Sequence, residues 1–144
     1  MIWRIALVVC VLGAAVGCGP SEGSEGGGSQ RIDGRDVSAA TMLRGSLAYG
    51  RLCRRCHGPT GQGDGRHGLA LDRRPTNLRV GPYPVSTGGQ DRLPTDAELA
   101  NTIRVGVPSS GMPPHPMPEI DSDALVQYIK SLNPAWAPEE GSGS

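Results

Sequence analysis

The chain contains no phenylalanine, and aromatic residues make up only 3% of its 144 positions. Hydrophobic residues of all kinds reach 37%, so the sequence has little material for a large core. Basic and acidic residues number 14 each, which leaves no net charge to favour nucleic acid or an anionic membrane. With 22 glycines and 13 prolines, the chain is too interrupted for a helical bundle or coiled coil. These shortages predict one small domain whose core requires apolar material beyond its own side chains.

The one long apolar run, over positions 5–16, follows a short basic start that contains Arg4. This pattern is typical of an export signal, and it is shorter than the roughly 20 residues that a permanent membrane span needs. Cys18 then closes Ala15-Val16-Gly17-Cys18, which resembles the bacterial lipobox, whose cysteine carries a lipid after cleavage. We expect an export signal over 1–17 and an exported chain, periplasmic or on the outer side of the bacterial membrane, anchored through Cys18. Plain cleavage nearby is the alternative.

Two segments are too poor in apolar residues to pack. Glycine, serine and glutamate dominate the stretch after Cys18, which predicts a flexible tether over 18–36. A second flexible segment is predicted at the C-terminal tail, over 137–144. The folded domain is therefore expected over 37–136.

Cys53 and Cys56 are the only cysteines of the predicted mature domain, and they stand in Cys53-Arg54-Arg55-Cys56-His57. This C-x-x-C-H spacing is typical of covalent haem attachment: two thiols on one helical turn reach two vinyl groups, and the histidine reaches the iron. A disulfide would close a tiny loop and leave His57 unexplained. A thioredoxin-like pair would need strands around it, and a zinc site would need a second ligand pair nearby. A single covalent haem c also supplies the apolar mass that the chain lacks.

A second motif, Gly63-Asp64-Gly65-Arg66-His67-Gly68, matches the dinucleotide fingerprint G-x-G-x-x-G. It follows the cysteine motif instead of a strand, which argues against a nucleotide. We expect these glycines to let the backbone turn tightly close to the porphyrin.

Apolar spacing predicts a first helix over about 38–57, with a stripe that leads into the cysteines. The stretch 58–94 has no long periodic segment, which suits a compact domain only when it wraps around a cofactor. A second helix is predicted over 95–105, because Thr95 and Glu98 stand at capping-box positions.

A third helix is predicted from Asp121 as N-cap to the residues before Pro134. Ile120 and Leu125 stand where a hydrophobic staple would form. Leu125 also begins a stripe at helical spacing that would be buried.

In its cysteine motif and its three predicted helices, the chain resembles class I cytochromes c. This family has a small all-α fold in which three main helices surround one haem. The resemblance covers about 37–132. It places Gly45 and Tyr49 of the first helix against Leu125 and Tyr128 of the last. It also implies that the carbonyl of Pro75 accepts a hydrogen bond from the haem-ligating histidine.

The sixth iron ligand is expected from a glycine-rich loop between the second and third helices, as the same resemblance implies. Met112 is the candidate there, and its soft thioether would favour ferrous iron and raise the potential. Met117 competes with it from five positions further on. His115 and His67 are weaker alternatives, expected to be exposed loop residues.

Filled axial positions predict electron transfer by a membrane-tethered or periplasmic carrier, or by the cytochrome subunit of a redox complex. A haem-based gas sensor or a peroxidase-like enzyme with a labile sixth ligand is the alternative. Seven arginines against two aspartates give 51–79 a local charge of +5, whereas 80–144 carries −5. We expect the basic side to steer docking onto acidic redox proteins, with no nucleic acid and no small-molecule substrate.

Overall fold

Four α-helices and one antiparallel hairpin form the domain in a computed structural model, which describes residues 28–87, 89 and 92–137. The elements are β1 (Ser29–Ile32), β2 (Arg35–Ser38), α1 (Ala39–Leu52), α2 (Arg54–His57), α3 (Asp96–Val105) and α4 (Glu119–Ser131). Among the described residues, the helices lack the length and the hydropathy of a membrane span. The predicted export signal, Cys18 and the tail beyond 137 lie outside the described residues.

The predicted first helix is present, but it consists of two pieces. The Ser38 hydroxyl accepts a hydrogen bond from the Thr41 N–H at 3.1 Å and so caps the start of α1. Cys53 stands between α1 and α2, and its N–H still donates to the Tyr49 carbonyl at 2.9 Å. Helical hydrogen bonding therefore reaches Cys53, where the cysteine motif begins directly after α1.

Helices α1 and α4 form the main helix pair, and Gly45 lies at their crossing point. A Cβ atom at Gly45 would lie 2.1 Å from the Ala124 carbonyl oxygen and 2.7 Å from the Tyr128 Cβ. One turn later, the rings of Tyr49 and Tyr128 lie 5.2 Å apart. Leu125 is fully buried beside them. The backbones approach this closely because Gly45 has no side chain, which agrees with the contact expected from the sequence.

The second predicted helix is confirmed together with its capping box. The Thr95 hydroxyl accepts from the Glu98 N–H, and the Glu98 carboxylate accepts from the Thr95 N–H at 2.7 Å. The same carboxylate accepts from the Thr87 hydroxyl and from Arg92 at 2.8 Å. The hydrogen bonds from Thr87 and Thr95, that of the Thr87 hydroxyl foremost, hold the pKa of Glu98 well below its ordinary value. They also fasten the preceding loop to α3.

The third predicted helix is α4, but its start differs from the prediction. Pro118 occupies the N-cap position, so Asp121 lies within the first turn instead of capping it. There the Asp121 carboxylate accepts from Arg44 of α1 at 3.0 Å. Ile120 is 63% exposed and lies outside the core, so the expected staple with Leu125 is absent. With Pro118 as the N-cap, α4 begins three residues earlier than predicted, and the fixed φ of this proline suits that position.

The hairpin contradicts part of the predicted tether, since residues 29–36 belong to the folded domain. Asp33 and Gly34 both have positive φ, of 51° and 73°, which is the geometry of a two-residue turn between twisted strands. Ile32 and Val37 turn inward from the two strands and are buried. The domain therefore begins before position 37, and its core includes the hairpin.

Lys130 fastens the hairpin to the helices. Its side chain is 1% exposed, and its ammonium group donates to Asp33 at 2.6 Å and to Asp96 at 2.7 Å. It also lies 5.6 Å from the centre of the Trp136 ring, a cation–π distance. Arg35 pairs with the same Asp96 carboxylate. One buried cation thus joins the hairpin turn, the start of α3 and the end of α4.

Candidate functional site

The two cysteines and the histidine of the motif lie on one helical turn. The N–H groups of Cys56 and His57 both donate to the Cys53 carbonyl, at 3.0 and 2.9 Å. Both thiols are free; Cys53 is buried, and Cys56 and His57 are half-buried. The three side chains therefore reach one cavity from one short segment.

The glycine-rich loop folds back onto this turn instead of forming a nucleotide site. The Gly65 N–H donates to the Cys56 carbonyl at 3.1 Å. A Cβ at Gly65 would lie 2.5 Å from the Arg55 carbonyl oxygen, and one at Gly68 would lie 2.3 Å from that of Cys56. The element directly before these glycines is helix α2 and not a strand. Their role is to bring the loop backbone against the carbonyls of the motif.

The hydrogen bond that orients His57 differs from the prediction. The imidazole Nδ1 lies 3.1 Å from the Thr76 carbonyl oxygen, so Thr76, and not Pro75, supplies the acceptor. The Pro75 carbonyl instead faces Gly63, where a Cβ would lie 2.5 Å from it. Pro75 itself lines the cavity beside the histidine. The expected kind of contact is therefore present, one residue further along the chain.

Met112 is presented by a tight loop that follows α3. Val107 and Met112 face each other as an isolated antiparallel bridge, with N–H···O distances of 2.9 and 3.2 Å. Gly111, with φ of 81°, makes the turn that leads back to Met112. A Cβ at Gly106 would lie 2.6 Å from the Met112 carbonyl oxygen. The backbone that carries this thioether is thus fixed to the end of α3.

Cys53, Cys56, His57 and Met112 all line one cavity, which has a volume of about 300 Å³. Most of the remaining wall is apolar and comes from the end of α1, the loops, α3 and α4: Leu52, Leu71, Pro75, Leu78, Tyr83, Pro84, Val85, Leu99, Ile103, Val107, Pro113 and Ile129. Arg73 and Arg74 also line it.

The alternative ligands separate into two groups. Met117 packs against the core, and His67 is exposed with its Nε2 2.8 Å from an Arg55 amino group, so neither lines the cavity. His115, by contrast, is half-buried and does line it, contrary to the expectation of an exposed loop residue. Sequence position alone does not separate His115 from His67, because both lie in loops without periodicity.

Burial changes the acid–base chemistry of the motif. It raises the pKa of the Cys53 thiol to about 12, and the neighbouring Cys56 adds to the effect. It also lowers the pKa of His57, although the hydrogen bond to the Thr76 carbonyl acts in the opposite direction. The His57 imidazole is therefore neutral near pH 7. Because its Nδ1–H donates to the Thr76 carbonyl, its Nε2 is the nitrogen that can bind a metal.

The donors in the cavity fit a haem and suit few other groups. Two thiols, one oriented imidazole and one thioether converge on an apolar space, as covalent attachment and two axial ligands require. Within the described ranges, no cluster of three or more His, Cys, Asp or Glu side chains could hold a bare metal ion.

Comparisons with known proteins agree with this geometry. The protein-family profile described as "Cytochrome C oxidase, cbb3-type, subunit III" matches residues 40–129. A solved chain in the Kuenenia stuttgartiensis reducing HAO-like protein complex is similar in structure, with a TM-score of 0.58 and 32% sequence identity. The match covers 70% of this chain and 49% of that chain, so this protein spans about half the length of its structural relative. No curated protein matches the sequence.

The family match covers more than half of the chain, including the cysteine motif, α3, the Met112 loop and most of α4. The helical fold is that of a small class I cytochrome c, with the two-stranded hairpin added at its N-terminal end. Haem-based electron transfer is the chemistry that these findings support. The chain belongs to the family of cytochrome c oxidase, cbb3-type, subunit III, and is a c-type cytochrome domain.

Proposed function

We propose that this domain transfers single electrons through one haem c, bound covalently to Cys53 and Cys56, with His57 and Met112 as axial ligands. The observation that carries the proposal is the single apolar cavity in which all four side chains meet. They come from two distant parts of the sequence, the end of α1 and the loop after α3.

The axial pair sets the chemistry. When bound, the haem supplies a ferric/ferrous couple that gains and loses one electron. The neutral Met112 thioether favours the ferrous state, and therefore raises the potential relative to two imidazoles. Thr76 would hold the His57 ring and the bridge to Val107 would hold the Met112 backbone in either oxidation state of the iron. With His57 and Met112 as its two ligands, the iron would offer no open site for substrate, which favours outer-sphere transfer.

Partner docking is proposed at the basic side. Arg73 and Arg74 line the cavity, where they can pair with the carboxylates of a bound haem. Arg51, Arg54 and Arg66 are exposed on the same segment of chain and have no carboxylate partner in the described part. These charges suit an acidic redox protein, with association that slows as salt rises.

The N-terminal sequence supports a proposal for the cellular setting. We propose export, a lipid anchor at Cys18, and work as a carrier or as a subunit of a larger redox assembly. The structural relative is itself part of a protein complex, which supports the second role. Mass spectrometry of the mature N-terminus tests the anchor, since a diacylated cysteine differs in mass from a free one.

An optical spectrum of the holoprotein tests the function. The expected result is a ferric thioether-to-iron charge-transfer band, no carbon monoxide binding by the ferrous protein, and mass spectrometry showing one haem on the chain. The matched variant Met117→Leu should keep the band, because Met117 lies outside the cavity. Ready carbon monoxide binding without the band would instead favour a gas sensor or a peroxidase-like enzyme.

A further inference from the structure

His115 is the one histidine besides His57 that lines the cavity, and the proposed electron-transfer chemistry gives it no role. It follows Met112 by three residues in the same loop. Its imidazole makes no hydrogen bond to any residue that the structure describes, whereas His67 is paired with Arg55. An imidazole that is half-buried on the wall of the proposed haem cavity, with no hydrogen-bond partner among the described residues, is available to a metal.

The backbone around His115 is held in place. Its N–H donates to the Ile103 carbonyl at 2.9 Å, which fixes it beside the last turn of α3. Met112 is fixed by its bridge to Val107, and Gly106 lies against the Met112 and Pro113 backbone. The two side chains are therefore presented from one anchored loop. Both side chains can therefore rotate while these backbone contacts stay in place.

We propose that His115 is the reserve ligand of this cytochrome, the side chain that binds the iron when the Met112 thioether does not. The inference rests on the proposed function, since it needs a haem in this cavity. An imidazole favours the ferric state more than a thioether does, so the two ligands give the protein a high-potential and a low-potential form. Met117 cannot take the role, because it packs into the core instead of lining the cavity.

The test compares holoproteins with the sixth ligand removed. Met112→Leu keeps the side-chain volume nearly constant and deletes the sulfur. We expect its ferric form to stay six-coordinate and low-spin without the thioether band, with a lower potential than the natural protein. Met112→Leu with His115→Ala should become high-spin. This double variant should bind cyanide at least about tenfold more tightly than Met112→Leu alone. In Met112→Leu, an imidazole that occupies the iron in nine molecules of ten would weaken the binding of an external ligand by that factor.

The matched control combines Met112→Leu with His67→Ala, which should behave as Met112→Leu alone. A high-spin Met112→Leu protein would overturn the proposal, and so would a double variant that stays low-spin. Met112→Ala is made in parallel. If neither single variant retains haem, that also counts against a reserve ligand, which should hold the vacated position.

Failure of the proposed function has a different signature. If the natural protein lacks the thioether band and His115→Ala alone turns it high-spin, then His115 is the first ligand and the Met112 assignment is wrong. If the chain carries no haem at all, electron transfer through this cavity fails and the reserve ligand fails with it.

Discussion

Replacing Gly45 by alanine, at the α1–α4 crossing, should destabilise the domain. Replacing Gly50 by alanine, about one and a half turns further along α1, should not. Gly45 and Gly50 both lie in α1, but only Gly45 contacts α4. A Cβ at Gly45 would overlap the Ala124 carbonyl oxygen, at 2.1 Å, whereas a Cβ at Gly50 would meet nothing within 4 Å. The two alanine variants therefore share a gain in helix propensity and differ in packing.

The expected magnitudes follow from these contacts. Gly50→Ala should stabilise the domain by about 0.5–1 kcal/mol, the usual gain from replacing an exposed helical glycine. Gly45→Ala makes the same gain but must push α4 away, since backbone atoms cannot rotate aside as a side chain would. Overpacking of this kind costs about 1–3 kcal/mol, and contact with backbone favours the upper end. The difference between the variants should be about 3 kcal/mol.

Urea unfolding of the holoproteins, followed by far-ultraviolet circular dichroism, measures that difference. With a slope of about 2 kcal/mol per molar urea, the two midpoints should lie about 1.5 M apart. Gly45→Ser should fall with Gly45→Ala, because it has the same Cβ. Equal midpoints for Gly45→Ala and Gly50→Ala would refute the close crossing.

Three further predictions concern the polar contacts. Lys130→Met should lower the free energy of unfolding in urea by about 2 kcal/mol. This is less than the roughly 3–5 kcal/mol lost when a fully buried ion pair is broken, because Asp33 and Asp96 reach solvent. An unchanged urea midpoint would contradict this prediction. Burial tends to raise the pKa of Asp96, but Lys130 outweighs it, so the folded value is lowered. The stabilisation that Asp96 contributes is therefore complete above its unfolded pKa of 3.8 and is lost as the pH falls through its lower folded pKa. Asp96→Asn should flatten the acid limb of a curve of unfolding free energy against pH. Thr95→Ala should cost about 1 kcal/mol through the lost cap to Glu98, with Thr95→Ser close to the natural protein in the same urea assay.

Most of the site could be predicted because its signals are local. The C-x-x-C-H spacing places three side chains on one turn whatever the rest of the chain does, and the capping box at Thr95 and Glu98 needs only four residues. The α1–α4 contact at Gly45 was also accessible, through the resemblance to class I cytochromes c. These features depend on short-range geometry or on a family pattern.

The features that were missed depend on tertiary contacts or on a turn signal that was passed over. Whether Thr76 or Pro75 accepts from His57 is decided by the path of an irregular loop, and no periodicity reports that path. His115 differs from His67 only in the cavity that its loop borders. The hairpin, in contrast, has a readable signal in Asp33-Gly34, a strong two-residue turn pair. The glycine-rich composition before it concealed that signal.

The hydrogen bond from the Asp33 N–H to the Trp136 carbonyl, at 2.8 Å, joins the hairpin turn to the segment that follows α4. The ion pair between Asp33 and the buried Lys130 fastens the same turn to the end of α4. A turn near the N-terminal side of the domain and a segment near its C-terminal side therefore stabilise each other, so truncation of either one should loosen the other.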